Sequence, residues 1–246
     1  MDNPIVSIII ATYNSGKTIR CALDSVKSQS YQDWECVVVD GASKDDTMDI
    51  VREYADNDSR FRYVSEPDHG IYDAFNKGWK MAAGEWVHYL GSDDRLTKDG
   101  LEQLLSTPNL DDYEIVSGNC YIEKIDGTIK ENISKGFGGC HQGKLTRKTA
   151  LERFGGFDER FSIMADADLM IRMEQAGVKI LNVSAFVAYF VMTGASQSIS
   201  GLEKRAKEWY GIYKNNHYSK PLYRACRYYV KTFAAISYRE LRKSFG

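Results

Sequence analysis

The chain has 246 residues, of which 43% are hydrophobic and 27% charged, and its formal net charge is −2 at pH 7. These values are typical of a folded globular protein, so they exclude a disordered chain, and the absence of a basic excess argues against nucleic acid as a partner. No apolar run approaches the ~20 residues of a membrane-spanning helix, and the first residues lack the layout of a signal peptide, so we expect a cytoplasmic protein. The five scattered cysteines form no C-x-x-C pair, which argues against a zinc site or a disulfide framework.

The first half of the chain alternates strands and helices at short spacing. The continuous β-branched run at residues 5–11 and the apolar run at 86–90 predict buried strands, and two further strands are predicted at 35–39 and 61–65. Apolar residues at helical spacing predict a helix after each of the first three strands. This alternation implies right-handed crossovers and a parallel sheet that is covered on both faces.

The pattern changes from about residue 98. A short helix to Leu105 is followed by strands around a hairpin at Asp126-Gly127, and by one or two further strands at 178–191. A helix is predicted at 166–176 from its apolar spacing. We therefore predict an α/β fold in which the parallel sheet continues into a mixed sheet.

The segment from Pro221 onward is basic and amphipathic, and it predicts a helical appendage. One interpretation is a helix that contacts an anionic membrane surface, which gives peripheral attachment at the inner face of the membrane. The other is a helix that packs on the domain with a solvated basic face. The sequence does not decide between them.

Two adjacent carboxylates, Asp93 and Asp94, follow the strand at 86–90. Ligands of open α/β sheets bind at the carboxyl ends of strands, so the pair predicts a site for a divalent cation, Mn²⁺ or Mg²⁺. The alternative is that both residues only cap the following turn.

Three motifs occur in a fixed order: Val6-Ser-Ile-Ile-Ile-Ala-Thr-Tyr-Asn14, Val37-Val-Val-Asp-Gly-Ala-Ser-Lys-Asp-Asp-Thr47 and Leu90-Gly-Ser-Asp-Asp94. Together they resemble the family 2 glycosyltransferases of the GT-A fold, and residues 65–78 resemble the branch that builds exopolysaccharides and other surface glycans. The resemblance implies a glycosyltransferase domain at 1–200, with a nucleotide-binding half at 1–97 and an acceptor-binding half at 98–200. Residues 201–246 are then the helical tail.

The resemblance implies roles for the residues at the strand ends. Family members have an Asp-x-Asp motif whose last acid binds the metal and whose first contacts the ribose. Asp93 matches the metal ligand, and Asp94 matches a supporting position. Gly91 stands at the position of the first acid. Without that acid, Ser92 or a backbone group is expected to contact the ribose.

Further residues match the family's nucleotide-sugar site. Thr12, Tyr13 and Asn14 match the nucleoside-binding loop, and Asp40 matches the acid that binds the base; a carboxylate can accept from several bases, so Asp40 does not fix the nucleotide. Asp40 could equally begin a turn at Gly41.

The loop and helix start at 68–73 are predicted to lie along the same rim. Gly70 allows close backbone approach, and Asp73 either holds the donor or is favoured by the helix dipole alone. His141 matches a segment near the acceptor or diphosphate, unless it is an ordinary surface histidine.

The catalytic base is expected from residues 165–172. Inverting displacement at C1 requires a carboxylate that takes the acceptor's proton, and Asp166 falls on the base of the family's Glu-Asp-x-x-Leu motif, with Ala165 in place of the glutamate. The alternative for Asp166 is a helix cap. Asp168 can pair with Arg172 one turn later, which indicates a structural role.

The function predicted from these features is metal-dependent, inverting transfer of a hexosyl group from a nucleotide-sugar, a UDP-sugar first of all, to a hydroxyl of a glycan or lipid-linked glycan. One competing hypothesis is a nucleotidyltransferase that makes the donor, which the absence of a Gly-x-Gly-x-Arg loop after the first strand disfavours. Another is a nucleotide-sugar sensor without catalysis, which needs no base.

Overall fold

The computed structural model describes residues 3–192 and 199–244, with side chains for residues 3–192 and 201–234. Residues 193–198, within the predicted glycosyltransferase domain, and residues 245–246 of the predicted tail lie outside the described residues. Nine strands are described: β1 (Val6–Thr12), β2 (Trp34–Asp40), β3 (Phe61–Ser65), β4 (Trp86–Gly91), β5 (Arg95–Leu96), β6 (Ile115–Glu123), β7 (Ile129–Asn132), β8 (Lys144–Arg147) and β9 (Ile180–Val191). The helices described are α1 (Ile19–Lys27), α2 (Thr47–Asn57), α3 (Ile71–Met81), α4 (Gly100–Leu105), α5 (Lys148–Phe154), α6 (Ala165–Gln175), α7 (Ile199–Asn215) and α8 (Pro221–Ser244).

A single sheet runs through the described part of the domain, in the order β3-β2-β1-β4-β8-β6-β9-β5, with β7 on β6. The strands β3, β2, β1 and β4 are parallel, as predicted from the strand-helix alternation. Because side chains alternate between the two faces of a strand, Ile8 and Ile10 of β1 pack with α1 and α2, while Ile9 packs with α3. The predicted parallel sheet covered on both faces is confirmed.

The second half of the sheet is mixed, which also confirms the predicted fold class. The strand β8 pairs antiparallel with both β4 and β6, and β6 runs parallel to β9. The region predicted as one or two strands at 178–191 is the one strand β9. The strand β8 was not predicted, because its sequence Lys-Leu-Thr-Arg carries no apolar alternation.

Close packing of α3 on the sheet depends on Gly78. A Cβ atom at this position would overlap Cγ2 of Ile9 on β1. The absence of a side chain at residue 78 therefore lets the helix approach the strand. This contact fixes α3, and with it the loop at residues 65–70 that precedes the helix.

The two C-terminal helices form a hairpin on the domain. The buried Ala225 lies on the inner side of α8, and Tyr228 accepts a hydrogen bond at 3.2 Å from Nε of Arg205 on α7. The predicted boundary between residues 200 and 201 falls in the first turn of α7. None of the described helices is long and apolar enough to cross a membrane.

Candidate active site

The carboxyl ends of the parallel strands bring the predicted nucleotide-site residues to one edge of the sheet. Thr12 is opposite Asp40 in the register of β1 and β2, and Asp40 is opposite Ser65 in that of β2 and β3. On the other side of β1, Ala11 is opposite Gly91 of β4. The four loops that follow these strands therefore share one rim.

Asp40 is fully buried at this rim, and its carboxylate is already engaged. Oδ2 accepts hydrogen bonds from Ser43 N at 3.0 Å and from Ser65 Oγ at 2.6 Å, and Oδ1 accepts one from Ser43 Oγ. The contacts with Ser43 are those of a turn that begins at Asp40, which is the structural alternative to a contact with the base. Because Asp40 is fully buried, the predicted contact between its carboxylate and a base would require the surrounding loops to move.

The loop after β1 is tied to the loop after β2 by Asn14. Its backbone N–H donates to Ser43 Oγ at 2.8 Å, and its Oδ1 accepts from Lys44 N at 2.8 Å. Asn14 adopts a left-handed conformation with φ of 49°, which asparagine tolerates better than most residues. Tyr13 beside it is 60% exposed, whereas Oγ1 of Thr12 is buried without a hydrogen-bond partner within the described part of the chain. A bound ligand can therefore satisfy Thr12 and stack on Tyr13.

Asp73 lies in the first turn of α3 and closes the preceding loop. Its Oδ2 accepts from His69 N at 2.9 Å and lies 3.4 Å from Nζ of Lys77. Burial alone would raise the pKa of Asp73, but these two contacts outweigh burial and lower it. Gly70 has φ of +119° and open space where its side chain would be, so the loop backbone is accessible there. Asp73 thus has a structural role in the loop, and its role toward a donor stays a prediction.

The two acids after β4 have different surroundings. Asp94 is 2% exposed, and it accepts hydrogen bonds from Gln142 Nε2 at 2.7 Å and from the backbone N–H of Val191 at 2.8 Å. Burial raises the pKa of Asp94 to about 6. Asp94 therefore joins the end of β4 to β9 and to the loop that carries His141, whereas Asp93 beside it is partly exposed.

Gly91 stands where the family motif has its first acid, and the packing explains this. A Cβ atom at Gly91 would lie 2.5 Å from Oδ2 of Asp94 and 3.0 Å from Oδ1 of Asp93. A larger residue would push both carboxylates away. Ser92, which follows, lies 2.9 Å from Oγ of Ser15, so it faces the loop after β1 and stays available for the predicted ribose contact.

The residues present fit a divalent cation that arrives with a ligand. Within residues 3–192 and 199–244 no group of three or more His, Cys, Asp or Glu side chains could hold a metal ion. Asp94 is buried and both its carboxylate oxygens accept hydrogen bonds from the protein, whereas Asp93 is partly exposed. Mg²⁺ is commonly held by one or two carboxylates together with substrate phosphates and water. Asp93 suits that mode of binding and does not suit a cage made by the protein alone.

Asp166 lies at the start of α6, and its carboxylate accepts two hydrogen bonds and lies close to one imidazole. Oδ1 accepts hydrogen bonds from Tyr72 Oη at 3.1 Å and from Ala167 N at 2.8 Å, and Oδ2 lies 3.6 Å from Nδ1 of His141. Burial alone would raise the pKa of Asp166, but the contacts with His141, Ala167 and Tyr72 outweigh it and lower the pKa. The side chain is 34% exposed, so Asp166 is an accessible carboxylate that stays ionised at neutral pH.

His141 was predicted to lie near the donor or acceptor, and the structure places it against Asp166. It lies on a short 3₁₀ turn, residues 141–143, with its ring edge-on to Phe75 of α3 at 6.0 Å. The neighbouring Gln142 contacts Asp94. This loop therefore connects the acid pair after β4 with the carboxylate at the start of α6.

The sequence prediction missed two residues that position Asp166. Tyr72 is 7% exposed, and its one hydroxyl proton is shared between Ile163 O at 2.9 Å and Asp166 Oδ1 at 3.1 Å. Burial and the Asp166 charge raise the pKa of Tyr72 well above its usual value. Glu208 of α7 accepts hydrogen bonds from the backbone N–H groups of Ser162, Ile163 and Met164, at 2.9–3.0 Å. It holds the turn at residues 162–164, which leads directly into the end of α6 that carries Asp166. Tyr72 stood inside the motif at 65–78, whereas nothing near Glu208 signalled its distant partners.

Asp168 is structural, as its spacing predicted. It is 2% exposed and accepts from Arg172 Nε at 2.7 Å and from Asn216 Nδ2 at 3.0 Å. Since Asn216 follows α7, this pair also ties α6 to the C-terminal helices. Asp166 is thus the accessible carboxylate of residues 165–172.

Comparisons with known proteins identify the family of the chain. The model of Glycosyl transferase family 2 matches residues 7–171. The PGL/p-HBAD biosynthesis glycosyltransferase of Mycobacterium bovis (strain BCG / Pasteur 1173P2) is 32% identical over 186 residues, which are 70% of this chain and 70% of that protein.

Two solved structures share the fold. S. aureus TarS 1–349 in complex with UDP-GlcNAc has a TM-score of 0.70 at 20% identity, over 85% of this chain and 65% of that chain, and a longer TarS structure is covered over 39% of its length. Mannosyltransferase PcManGT from Pyrobaculum calidifontis in complex with GDP-Man and Mn²⁺ has a TM-score of 0.68 at 21% identity, over 96% of this chain and 74% of that chain.

Proposed function

This chain belongs to glycosyltransferase family 2 and has the GT-A fold, and we propose that it transfers a sugar from a UDP-sugar, with inversion, to a hydroxyl of a glycan or lipid-linked glycan. The observation that carries the proposal is the carboxylate of Asp166, which is accessible, ionised at neutral pH and held by Tyr72, His141 and the helix backbone. A sensor without catalysis has no need of such a group.

Asp166 acts as the general base. Its carboxylate takes the proton of the acceptor hydroxyl as that oxygen attacks C1 of the donor sugar, while the nucleoside diphosphate leaves from the opposite face. Tyr72 stays protonated and keeps one carboxylate oxygen in place. Proton removal by a positioned base contributes about 10²–10⁴ in rate.

Asp93 is the residue that would hold a divalent cation, Mn²⁺ or Mg²⁺, together with the donor's diphosphate. The cation when bound supplies Lewis-acid stabilisation of charge on the departing diphosphate. The support is the partly exposed Asp93 at the strand end and the Mn²⁺ in the PcManGT complex. Asp94 contributes by holding the loop after β4.

The donor occupies the rim formed by the loops after β1, β2 and β4. The unsatisfied Oγ1 of Thr12, the exposed ring of Tyr13 and Ser92 are the groups that favour a nucleoside diphosphate there. UDP is the nucleotide of the TarS complex, whereas the PcManGT complex contains GDP-Man. These complexes make UDP and GDP the two candidates, of which we propose UDP.

A thermal-shift screen tests the proposal. UDP-, GDP- and TDP-sugars are added to the full chain with and without Mn²⁺, because a ligand that binds the native state raises its melting temperature. We expect the largest increase with a UDP-sugar in the presence of Mn²⁺, followed by release of UDP when an acceptor mixture is added. Binding without UDP release for any acceptor or water would favour the sensor, and no binding would contradict both.

We also propose that residues 221–246 make peripheral contact with a membrane, where a lipid-linked acceptor would be located. α8 packs on α7 by one face and leaves Leu222, Tyr223 and Val230 of another face 63–66% exposed. Beside them Lys220, Arg224, Arg227 and Lys231 line a cavity with no acidic residue among its lining residues. An exposed apolar face with a basic border suits an anionic lipid surface.

Vesicle co-sedimentation tests this contact. We expect the full chain to bind vesicles that contain anionic phospholipid and to bind neutral vesicles less. The double variant Leu222→Ser/Val230→Ser should lose at least tenfold of the binding, while Ile125→Ser, at an 83% exposed site on the distant hairpin, should keep it. Equal binding by all three proteins would contradict the contact and leave the packed helix with a solvated basic face.

A further inference from the structure

A cavity of about 300 Å³ opens beside Asp166 and His141. It follows one face of α6, because Ala167, Met170, Ile171 and Glu174 line it at helical spacing. The distance along the helix from Asp166 to Glu174 is about 12 Å at the usual rise per residue. We call this cavity the α6 groove. Neither the nucleotide rim nor the cation position uses it.

The walls of the α6 groove are mainly apolar. They include Phe137, Phe157, Leu169, Met170, Ile171 and Trp209. The wall at residues 137–140 is held in place by Lys144, whose Nζ donates to Gly138 O at 3.0 Å and to Cys140 O at 3.1 Å. The groove is therefore a preformed apolar surface that begins at the catalytic carboxylate.

We propose that the α6 groove binds an apolar aglycone of the acceptor, an aryl or alkyl group attached close to the hydroxyl that reacts. This inference rests on the proposed function, since it takes Asp166 as the base. The hydroxyl that loses its proton to Asp166 must lie at the mouth of the groove. The part of the acceptor next to it then enters the groove.

The lining favours an apolar group over a second sugar ring. The lining also includes Lys144, Thr146 and Glu174, but the pyranose hydroxyls that face Phe137, Met170 and Ile171 would be left without hydrogen-bond partners, which is unfavourable. An aryl or alkyl group has no such requirement, and it gains from removing apolar surface from water. Trp209, which also lines the groove, adds an aromatic ring to this apolar surface.

Two residues that line the groove carry a buried polar atom without a hydrogen-bond partner in the part of the chain that the structure describes: Oη of Tyr89 and Nε1 of Trp209. Both can donate, so an acceptor oxygen, such as the glycosidic oxygen that joins a sugar to its aglycone, would satisfy either of them. One or two acceptor oxygens within an otherwise apolar group match this lining better than a ring of hydroxyls does.

The groove contains its own spectroscopic probe. Of the four tryptophans, Trp34, Trp79 and Trp86 are at most 6% exposed, whereas Trp209 lines the groove. Tryptophan emission of the full chain, without donor, is measured while glucose, phenyl β-D-glucopyranoside or octyl β-D-glucopyranoside is added below its micelle concentration. We expect saturable changes with the phenyl or octyl compound and at least tenfold weaker binding of glucose. Trp209→Phe should abolish the signal.

Two variants separate the groove from general effects. Met170→Gln places an amide in the groove and should weaken binding of the phenyl or octyl compound at least tenfold, while Ile129→Gln, at a 49% exposed site on β7, should leave it unchanged. Melting temperatures verify that both variants fold. Equal affinity for glucose and the alkyl glucoside, or unchanged binding by a folded Met170→Gln, would overturn the inference. Because no donor is present, this outcome is distinct from failure of the glycosyltransferase proposal, which appears as loss of nucleotide binding or UDP release.

Discussion

Tyr72 on α3 donates a hydrogen bond of 3.1 Å to Asp166 on α6, although the two residues are 94 positions apart. Tyr72 lies one residue before Asp73, in the helix start that closes the predicted donor loop. A single buried phenol therefore links the nucleotide rim to the proposed base. The position of the base depends on α3 as well as on its own helix.

Removing the phenol should loosen the base. In Tyr72→Phe we expect kcat to fall about tenfold, which corresponds to ~1.4 kcal/mol for a lost hydrogen bond to a charged group. The KM for the donor should change little. Tyr63→Phe, at a 40% exposed position on β3, is the matched control. A Tyr72→Phe enzyme with the kcat of the control would show that this hydrogen bond does not position the base.

His141 should set the pH below which activity is lost. Its contact with Asp166 helps to lower the pKa of the Asp166 carboxyl, so His141→Gln should raise the pKa of Asp166. The acidic limb of kcat/KM then moves to higher pH, because the base must be ionised to accept a proton. His217→Gln, at an exposed site beyond α7, is the control. Profiles of kcat/KM against pH that coincide for all three proteins would be incompatible with this role.

The lowered pKa of Asp166 also has a consequence for stability. A carboxyl whose pKa is lower in the folded state stabilises the fold above its unfolded pKa, which is about 3.9, and this contribution disappears as the pH falls through the folded value. His141→Gln should therefore flatten the acid side of the stability curve, measured as the urea midpoint against pH.

The two adjacent acids after β4 should respond differently to substitution. Asp94→Asn disturbs the hydrogen bonds from Gln142 and Val191, so we expect the free energy of unfolding to fall by about 1–3 kcal/mol. Asp93→Asn should cost less stability and should abolish the Mn²⁺ dependence of UDP binding in calorimetry. If Asp94→Asn alone removed the metal dependence, the assignment of the two acids would have to be reversed.

Glu208 should contribute to both stability and turnover, although it lies on α7. Glu208→Gln weakens the hydrogen bonds to three backbone N–H groups at the start of α6, and we expect a loss of about 1–3 kcal/mol in urea unfolding together with a lower kcat. Glu203→Gln, exposed on the same helix, provides the comparison. Equal stability of the two variants would mean that α7 is an appendage without a role in the site.

The sequence predicted the first half of the fold well because β1, β2 and β4 are buried on both faces. Apolar runs such as residues 5–11 and 86–90 carry their own signal, and β3 (Phe61–Ser65), which is largely exposed, also has the predicted bounds. Strand ends then locate the rim, so Thr12, Asp40 and Asp93 could be placed on one edge before the structure was known.

The rest depends on contacts between distant segments. The strand β8 has a mixed polar sequence, and it forms because β4 and β6 both pair with it. The turn contacts of Asp40 with Ser43 were one of the two alternatives for that residue, but its contact with Ser65 and the contacts of Asp94 with Gln142 and Val191 could not be foreseen, since these partners come from other elements. Tyr72 and Glu208 reach Asp166 and its helix only through tertiary packing.

The most direct test of the proposed function is Asp166→Asn, with UDP-sugar affinity and UDP release measured on the same preparation. The amide keeps the size of the side chain but cannot accept the acceptor's proton. We expect donor affinity within about threefold of the unmodified chain and UDP release slower by about 10²–10⁴. Acceptor-dependent UDP release at the unmodified rate would contradict the assignment of Asp166 as the base.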